Sequence, residues 1–313
     1  MAFPSDSSWR EQLSASAYRF GWAVTKRIPP AIARPMFDCL ADLASRNGKG
    51  PEQLRRNLSR VVGPENVTRD LVRRSMRSYL RYWREAFQLP SIAGPDLGQQ
   101  LGAGFEPGST QHVADSINAG KGVILTLPHA GNWDMAGVWL VQMHGQFTTV
   151  AERLKPESLF DAFVEFRNSL GFEVLPLTGG AEPPMRRLEE VLRSGGVVCL
   201  MGERDLTGRG VPVDFFGETA SLPAGPATLA KKTGAALHTV SSYFTTVHGE
   251  DNWGFKVGAP IDTSGTVEKV TQEIARQFEA NIAQHPADWH MLQPLFHSDL
   301  SDRRKRKMGL LDD

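Results

Sequence analysis

Apolar residues recur every three or four positions through much of the first 90 residues, which is the spacing of one face of a helix. The first stripe predicts a helix that ends at Pro29 and Pro30, because proline interrupts helical hydrogen bonding. Its apolar positions are Trp9, Leu13, Ala17, Phe20 and Val24. Further helices are predicted at 31–45, after Pro51 and from a cap near Asn66, so the front of the chain is predicted to be helical.

The pattern changes after residues 90–108, whose three prolines and five glycines predict a linker or a long loop. Strands are predicted beyond them at 122–128, 147–152, 172–177, 196–203, 235–244 and 253–257. Helices are predicted between the strands at 131–145, 156–170, 183–194, 224–234 and 266–284. This alternation predicts an α/β fold, with a central, mostly parallel twisted sheet, helices on both faces, and the helical region in front.

The charges divide the chain in a similar way. The net charge is zero, but residues 1–90 carry a net charge of +8, residues 91–302 of −11 and residues 303–313 of +3. A basic front can contact anionic lipid, nucleic acid or the acidic part of its own chain. We expect an N-terminal helical, membrane-facing region packed on the core (1–90), an α/β core (91–300), and a basic tail (301–313) that is disordered or anchors to lipid.

Composition excludes several classes of protein. The two cysteines, Cys39 and Cys199, are far apart, which excludes a disulfide framework and a paired-cysteine zinc cluster and fits a reducing compartment. No apolar run marks a signal peptide or reaches the roughly 18 residues of a membrane-spanning helix. If the protein contacts a membrane, we expect it to lie on the surface. No nucleic-acid fold signature accompanies the arginine-rich face of the fourth predicted helix, so no nucleic-acid partner is expected.

Polar side chains stand at the ends of three predicted strands. His129 follows the first strand, Glu152 ends the second, and Glu203 and Arg204 end the fourth. Ligands bind at the carboxyl ends of the strands in open parallel sheets, so these side chains are candidates for one site. Strand ends are polar in any case because they emerge into solvent, and His129 is therefore either structural or part of that site.

Most alternative chemistries lack their sequence signature. There is no G-x-S-x-G elbow, no Walker loop and no G-x-G-x-x-G after the first strand. A metal site at His129 and Asp134 lacks a further close histidine, so no metal is expected. General-base chemistry remains, in which a carboxylate orients an imidazole and a substrate hydroxyl is the nucleophile.

Four segments carry a family resemblance. The segment "HAGNWD" (129–134) resembles the H-x-x-x-x-D/E motif of the glycerolipid-type acyltransferases, and "PHAGNWD" resembles that of the lipid A biosynthesis acyltransferases. Further blocks in the order of that family are "AERLK" (151–155), "FRNSLGFEVLP" (166–176) and "GERDLTGRGVPVDFFGETASLPAGPATLAKKTGA" (202–235). Within the family, the chain looks most like the mycobacterial branch that acylates phosphatidylinositol mannosides.

This resemblance implies an enzyme on the cytoplasmic face of the plasma membrane. Such an enzyme transfers a long acyl chain, typically palmitoyl, from acyl-CoA to a mannose hydroxyl of a phosphatidylinositol mannoside, and acyl-CoA is a co-substrate rather than a cofactor. Relatives of the lipid A type usually have an N-terminal spanning segment, whereas this chain has an amphipathic stretch, so peripheral attachment to an anionic membrane is expected. The alternatives are a non-catalytic lipid-binding protein, or an acyltransferase for another glycolipid or glycerolipid acceptor.

The resemblance also implies roles for particular residues. His129 is the general base, and the motif acid Asp134 either orients it or structures the turn at the helix start. Glu203 is the rival partner of His129. Backbone amides after Gly131 are candidates for stabilising the oxyanion.

Substrate-binding residues are expected inside the same blocks. Arg167 and Arg204 are candidates for binding phosphate groups, and each is otherwise half of an ordinary ion pair. Glu152 either binds acceptor hydroxyls or pairs with Arg153 or Arg167. An acyl groove can be lined by apolar residues that are otherwise core, namely Trp133, Met135, Trp139, Phe160 and Phe163.

Overall fold

The computed structural model describes residues 25, 27–153, 157–180, 182–247 and 250–311. The stripe that predicts the first helix, residues 9–24, lies outside the described residues, and so does the choice between lipid and core as its environment.

Three helices of the front region follow: α1 (Pro30–Ala44), α2 (Glu52–Val62) and α3 (Arg69–Ile92). They pack around a small cluster of buried apolar side chains, among them Ala41, Leu58 and Met76. The predicted cap of α3 at Asn66 is wrong, because Asn66 ends a short 3-10 helix instead. Thr68 is the cap, and its hydroxyl accepts a hydrogen bond from the backbone N–H of Leu71 at 3.1 Å.

The predicted loop at residues 90–108 is partly helical. Helix α3 continues through Pro90, and a short helix α4 (Leu97–Gly102) follows before α5 (Ser109–Asn118). Leu97 and Leu101 are buried in the main core, so α4 forms because it has an apolar face to cover. The glycines and prolines therefore shape short turns around the helix rather than one long loop.

The central sheet has six strands in the order β3-β2-β4-β1-β7-β8, of which β7 and β8 are antiparallel neighbours and the other pairs are parallel. The strands are β1 (Val123–Leu127), β2 (Phe147–Ala151), β3 (Phe172–Pro176), β4 (Val197–Met201), β7 (Ala236–Val247) and β8 (Glu250–Val257). The helices between them are α6 (Trp133–His144), α7 (Glu157–Ser169), α8 (Pro184–Arg193), α9 (Gly225–Thr233) and α10 (Val267–Gln284). The predicted fold class is confirmed.

Alternate residues of the buried strand β1 enter two different core clusters. Val123, Leu125 and Leu127 pack in the cluster that contains residues of α6, whereas Ile124 packs in the cluster that contains residues of α8, α9 and α10. The sheet is therefore covered on both faces, as an almost continuously apolar central strand requires.

Two elements differ from the sequence prediction. The hairpin of β5 (Val211–Phe215) and β6 (Glu218–Leu222) lies where no element was predicted, and it turns at Phe216 and Gly217 with φ of 51° and 74°. The basic tail contains a helix, α11 (Asp302–Lys307), capped by Ser301, and Arg304 donates a hydrogen bond to the backbone oxygen of Asp205.

Among the described residues, none of the helices has the length and apolar character needed to cross a bilayer.

Candidate active site

His129 and Glu203 meet at the carboxyl edge of the sheet. Strands β1 and β4 are adjacent and parallel, so the residues that follow them lie side by side. The Nδ1 atom of His129 lies 2.7 Å from Oε1 of Glu203, and the backbone N–H of His129 donates to the same oxygen at 2.5 Å. The Glu203 side chain is fully buried, whereas 30% of the His129 side chain is exposed.

This contact assigns the tautomer of His129. A carboxylate oxygen can only accept, so Nδ1 carries a proton and Nε2 is the nitrogen with a free lone pair. His129 lines a large cavity, which makes Nε2 the atom available to a substrate. An imidazole in this arrangement can act as a general base, because a buried negative charge stabilises its imidazolium form.

Asp134 makes its contacts elsewhere. It lies in the first turn of α6 with 3% of its side chain exposed, and its two oxygens pair with Nε and Nη2 of Arg167 at 3.0 and 3.2 Å. The hydroxyl of Tyr82 donates to it at 3.1 Å. Of the two carboxylates that the sequence left open, Glu203 is the one that contacts His129.

Arg167 remains charged in this setting. Burial alone lowers the pKa of Arg167, but the charge of Asp134 and the interaction with Tyr82 outweigh burial and raise it. The Asp134–Arg167 pair therefore forms a charged part of the cavity wall, and Arg167 is half of an ion pair, one of the two roles expected for it.

The turn between β1 and α6 accounts for the spacing of the "HAGNWD" segment. Gly131 has a φ of 55°, and a Cβ there would lie 2.5 Å from the carbonyl carbon of Ser242, so a larger residue does not fit. Asn132 caps α6 by accepting the N–H of Met135 at 3.1 Å. The amides of Gly131 and Asn132 donate to Asp288 and Ser242, so these amides and that of Met135 are not available to an oxyanion.

Glu152 and Arg204 form a more open pair. Nη1 of Arg204 lies 3.8 Å from Oε2 of Glu152, with 31% and 50% of the side chains exposed. Arg153 and Arg167, the two expected alternative partners of Glu152, pair with Glu157 and Asp134 instead. Exposed pairs contribute about 0–1 kcal/mol, so a ligand can displace either partner at little cost.

A cavity of about 910 Å³ joins these groups. His129, Asp134, Glu152, Arg167 and Arg204 line parts of it. Most of the lining is apolar, and it includes four of the five predicted groove residues, Trp133, Trp139, Phe160 and Phe163. The fifth, Met135, is fully buried in the core. The volume lies near the upper end of the roughly 300–1,000 Å³ typical of ligand pockets.

Sequence reasoning missed a second histidine beside the first. The backbone N–H of His290 donates to the oxygen of His129 at 2.7 Å, and Ala130 pairs with Trp289 in an antiparallel bridge. Burial and the neighbouring His129 lower the pKa of His290 to about 3. His290 stands in an irregular segment with no periodicity, so only the tertiary pairing reveals it.

No group of three or more histidine, cysteine or acidic side chains that could hold a metal ion occurs in the described part of the chain. Cys199, at the cavity wall, is not poised as a nucleophile, because burial raises the pKa of its thiol.

The chain is similar to known proteins over most of its length. A model of the family described as bacterial lipid A biosynthesis acyltransferase matches residues 4–298. A relative from Mycolicibacterium smegmatis named phosphatidylinositol mannoside acyltransferase is 54% identical over 301 residues, which cover 95% of this chain and 96% of the relative. Relatives of that name from two strains of Mycobacterium tuberculosis are each 52% identical over 295 residues, covering 93% of this chain and 91% of the relative.

Proposed function

The chain belongs to the bacterial lipid A biosynthesis acyltransferase family, and on that premise we propose that it transfers an acyl chain from acyl-CoA to a mannose hydroxyl of a phosphatidylinositol mannoside. The match to this family confirms the resemblance that the "HAGNWD" segment and its neighbouring blocks indicated. The acceptor is taken from the names of relatives that are 52–54% identical. The observation that carries the proposal is the His129–Glu203 pair beside a largely apolar cavity of about 910 Å³.

His129 acts as the general base in this proposal. Its Nε2 takes the proton of the acceptor hydroxyl as that oxygen attacks the thioester carbonyl carbon. The tetrahedral intermediate then expels the CoA sulfur, which receives the proton back from the imidazolium. One C–O bond forms, one C–S bond breaks, and the negative charge of Glu203 stabilises the imidazolium between the two steps.

The apolar cavity is proposed to hold the acyl chain of the donor. Burying a palmitoyl chain at ~0.8 kcal/mol per methylene contributes on the order of 10 kcal/mol, before the cost of ordering the chain. Arg204 is the proposed contact for the phosphate groups of the substrates, because it is partly exposed at the cavity and held only by a weak pair with Glu152. Glu152 would then be released towards acceptor hydroxyls.

The front helices support a peripheral position on the membrane. Helix α1 exposes an apolar stripe at spacings of four, four and three residues, with 60%, 37%, 47% and 74% exposure at Ile32, Met36, Leu40 and Leu43. Exposed apolar faces of this kind are typical of interaction surfaces. Helix α1 packs on α3, which carries the cavity residues Tyr82 and Trp83, so an anionic lipid surface at α1 on the cytoplasmic side would lie close to the site.

Acyl transfer from palmitoyl-CoA to purified phosphatidylinositol mannoside tests the proposal directly. His129→Ala should abolish transfer with the fold retained, whereas the control His112→Ala, a histidine on α5 away from the cavity, should keep it. Transfer that survives His129→Ala would exclude the general-base role. Faster acylation of a glycerolipid than of the mannoside would instead assign a different acceptor.

Vesicle binding tests the membrane part separately. Ile32→Ser with Leu43→Ser should weaken binding to vesicles that contain phosphatidylinositol, whereas Met143→Ser, at an apolar position of α6 that is 55% exposed, should not. Equal loss in both variants, or none, would contradict a lipid role for α1.

A further inference from the structure

The basic tail is folded against the wall of the cavity. The loop between β4 and β5 (residues 204–210) supplies part of the cavity lining, and α11 contacts this loop. Arg304 of α11 donates a hydrogen bond to the backbone oxygen of Asp205. A Cβ at Gly208 would lie 3.4 Å from Cγ of Met308, which is ordinary van der Waals contact. The positive charge at the end of the chain is therefore held beside the candidate active site.

Helix α11 divides its residues between two faces. Residues three or four positions apart lie on the same face of a helix. Arg304 and Met308 are four apart, and both contact the loop. Arg303, Arg306 and Lys307 share a different face, at spacings of three and four, and all three are exposed. We call these three residues the tail face, because they present a row of cations to solvent.

The charge of the tail face is not neutralised by the described part of the chain. None of its three cations lies within ion-pair distance of a carboxylate there. The front region differs, because α3 is rich in arginine but most of that charge is paired with nearby acids. The paired arginines of α3 are Arg73, Arg74, Arg77, Arg81 and Arg84. Positive charge that is not paired within the protein remains available to an anionic partner.

Two exposed leucines follow the tail face. Gly309 has a φ of 67° and ends the helix, and the N–H of Leu310 donates to the backbone oxygen of Lys305 at 2.9 Å. Leu310 is 39% exposed and Leu311 is 43% exposed. Cations beside exposed leucines are typical of a segment at a lipid surface, where the cations contact anionic headgroups and the leucines enter the interface. The leucines favour a membrane over other polyanions, because a membrane also has an apolar interior.

The positive charge continues from the tail to the cavity. Arg209 follows Gly208, is exposed, lines the cavity, and forms no ion pair with a described carboxylate. Arg204, at the start of the same loop, has only its weak pair with Glu152. Glu203, the partner of His129, immediately precedes this loop. One basic surface therefore extends from the tail face to the residues beside the proposed general base.

We propose that the tail face, with Leu310 and Leu311, binds an anionic phospholipid surface, and that this contact holds the 204–210 wall of the cavity against the membrane that contains the acceptor. The inference rests on the proposed function for the acceptor as a membrane lipid, and it adds a lipid contact separate from that of α1. The phosphates of CoA are the rival anion. They leave the two leucines without a role, because the proposed function places the acyl chain inside the cavity.

Vesicle binding by the full chain tests the proposal. The variant is Arg303→Gln with Arg306→Gln, which keeps Arg304 on Asp205 and replaces two good helix formers with another. The probes are vesicles of phosphatidylcholine with and without phosphatidylinositol. Affinity for the anionic vesicles should fall about 25-fold, roughly five-fold for each cation. Affinity for the neutral vesicles should not change, and high salt should reduce the difference.

A matched control removes the same charge elsewhere. Lys121→Gln with Lys269→Gln replaces two exposed lysines, one before β1 and one on α10, and should bind anionic vesicles within about two-fold of wild type. Leu310→Ser with Leu311→Ser should weaken binding to both kinds of vesicle. Thermal unfolding compares the stability of the three variants. Unchanged vesicle binding in the arginine variant, or the same loss in the lysine control, would overturn the inference and leave the proposed function standing.

Acyl transfer separates the membrane contact from the chemistry. With phosphatidylinositol mannoside in neutral detergent micelles, Arg303→Gln with Arg306→Gln should match wild type. With the mannoside in anionic vesicles, its KM should rise. A higher KM for acyl-CoA with unchanged vesicle binding would assign the tail face to the phosphates of CoA and overturn the inference. If the wild-type protein acylates no mannosylated acceptor, the proposed function fails, whereas vesicle binding still decides the lipid contact of the tail.

Discussion

Two buried carboxylates serve the same cavity in different ways. Glu203 accepts from the ring of His129 at the end of β4, whereas Asp134 holds Arg167 and Tyr82 at the start of α6. Both are nearly inaccessible to solvent, with 0% and 3% side-chain exposure. Burial and negative charge therefore do not distinguish the carboxylate that contacts the proposed base from the one that holds an ion pair.

The residue that each carboxylate contacts distinguishes Glu203 from Asp134. A histidine can take up and release a proton as a general base, so a carboxylate beside it can stabilise the charged form. Arginine stays charged under any condition in which the protein is folded, so the carboxylate beside it can only hold a fixed charge in place. We therefore propose that the motif residue Asp134 forms part of the wall of the site and that the remote residue Glu203 takes part in the proton chemistry.

The largest effect is expected from Glu203→Gln. Glutamine has a similar size and keeps an oxygen for the N–H of His129, but it removes the negative charge that stabilises the imidazolium. Without that charge His129 should lose most of its effect as a base, so we expect the rate of acyl transfer in a single-turnover assay to fall by up to about 10²- to 10⁴-fold, the usual contribution of general-base catalysis. Glu173→Gln is the control and should have a much smaller effect, because Glu173 on strand β3 pairs with Arg187 and is not part of the cavity lining. Equal losses of activity in the two variants would show that Glu203 has no particular role in proton transfer.

Asp134→Ala should act mainly on stability. It leaves the guanidinium of Arg167 in a largely buried position without its carboxylate, which costs about 3 kcal/mol, the lower end of the range for a broken buried pair. The double variant Asp134→Ala with Arg167→Met should recover much of that loss in denaturant unfolding. If Asp134→Asn abolishes acyl transfer while its unfolding midpoint stays at the wild-type value, Asp134 acts on the chemistry and not mainly on stability.

His290, whose ring bonds to Ser78 rather than to a carboxylate, should make the stability of the protein depend on pH. Its pKa is about 3 in the folded protein and about 6.5 when unfolded, so below about pH 6.5 the unfolded chain binds a proton that the folded chain does not. Wild type should therefore lose about 1.4 kcal/mol per pH unit on acidification relative to His290→Phe. Unfolding midpoints of both proteins between about pH 7 and about pH 4.5 measure the difference. Parallel curves would show that His290 does not stay neutral.

The smallest effect on stability is expected at the open pair. Arg204→Ala should change the free energy of unfolding by less than about 1 kcal/mol, because its pair with Glu152 is exposed. The KM for acyl-CoA should nevertheless rise several-fold if Arg204 binds phosphate. Arg153→Ala removes a comparable exposed arginine, paired with Glu157, and is the control. An unchanged KM in Arg204→Ala would exclude the phosphate contact.

The sheet, and the edge of it that carries the candidate site, could be predicted because local patterns determine them. A run such as "VILTL" is apolar on both faces, which places β1 in the centre of a covered sheet. The rule that ligands bind at the carboxyl ends of parallel strands then brings His129 and Glu203 together without knowledge of their distance. This contact between distant residues could be predicted because the regular geometry of a parallel sheet places the ends of adjacent strands side by side.

The remaining features depend on packing that no local pattern encodes. Arg167, near the end of α7, pairs with Asp134 at the start of α6, and the backbone of His290, in an irregular segment near the end of the chain, pairs with that of His129. Helix α4 was not predicted because glycines and prolines surround it. Its apolar face consists of only two buried leucines, Leu97 and Leu101. In each case the decisive partner is remote in sequence.

A single oxygen of Glu203 accepts from both the backbone and the ring of His129. Because the backbone N–H and the ring Nδ1 of His129 both bond to this oxygen, the imidazole loses most of its freedom to rotate before any substrate binds. The entropy of aligning the base is therefore lost once, when the chain folds, and not again in every catalytic cycle. The protein gives up some conformational freedom of its native state, and the imidazole proposed as the base is held in one orientation by Glu203.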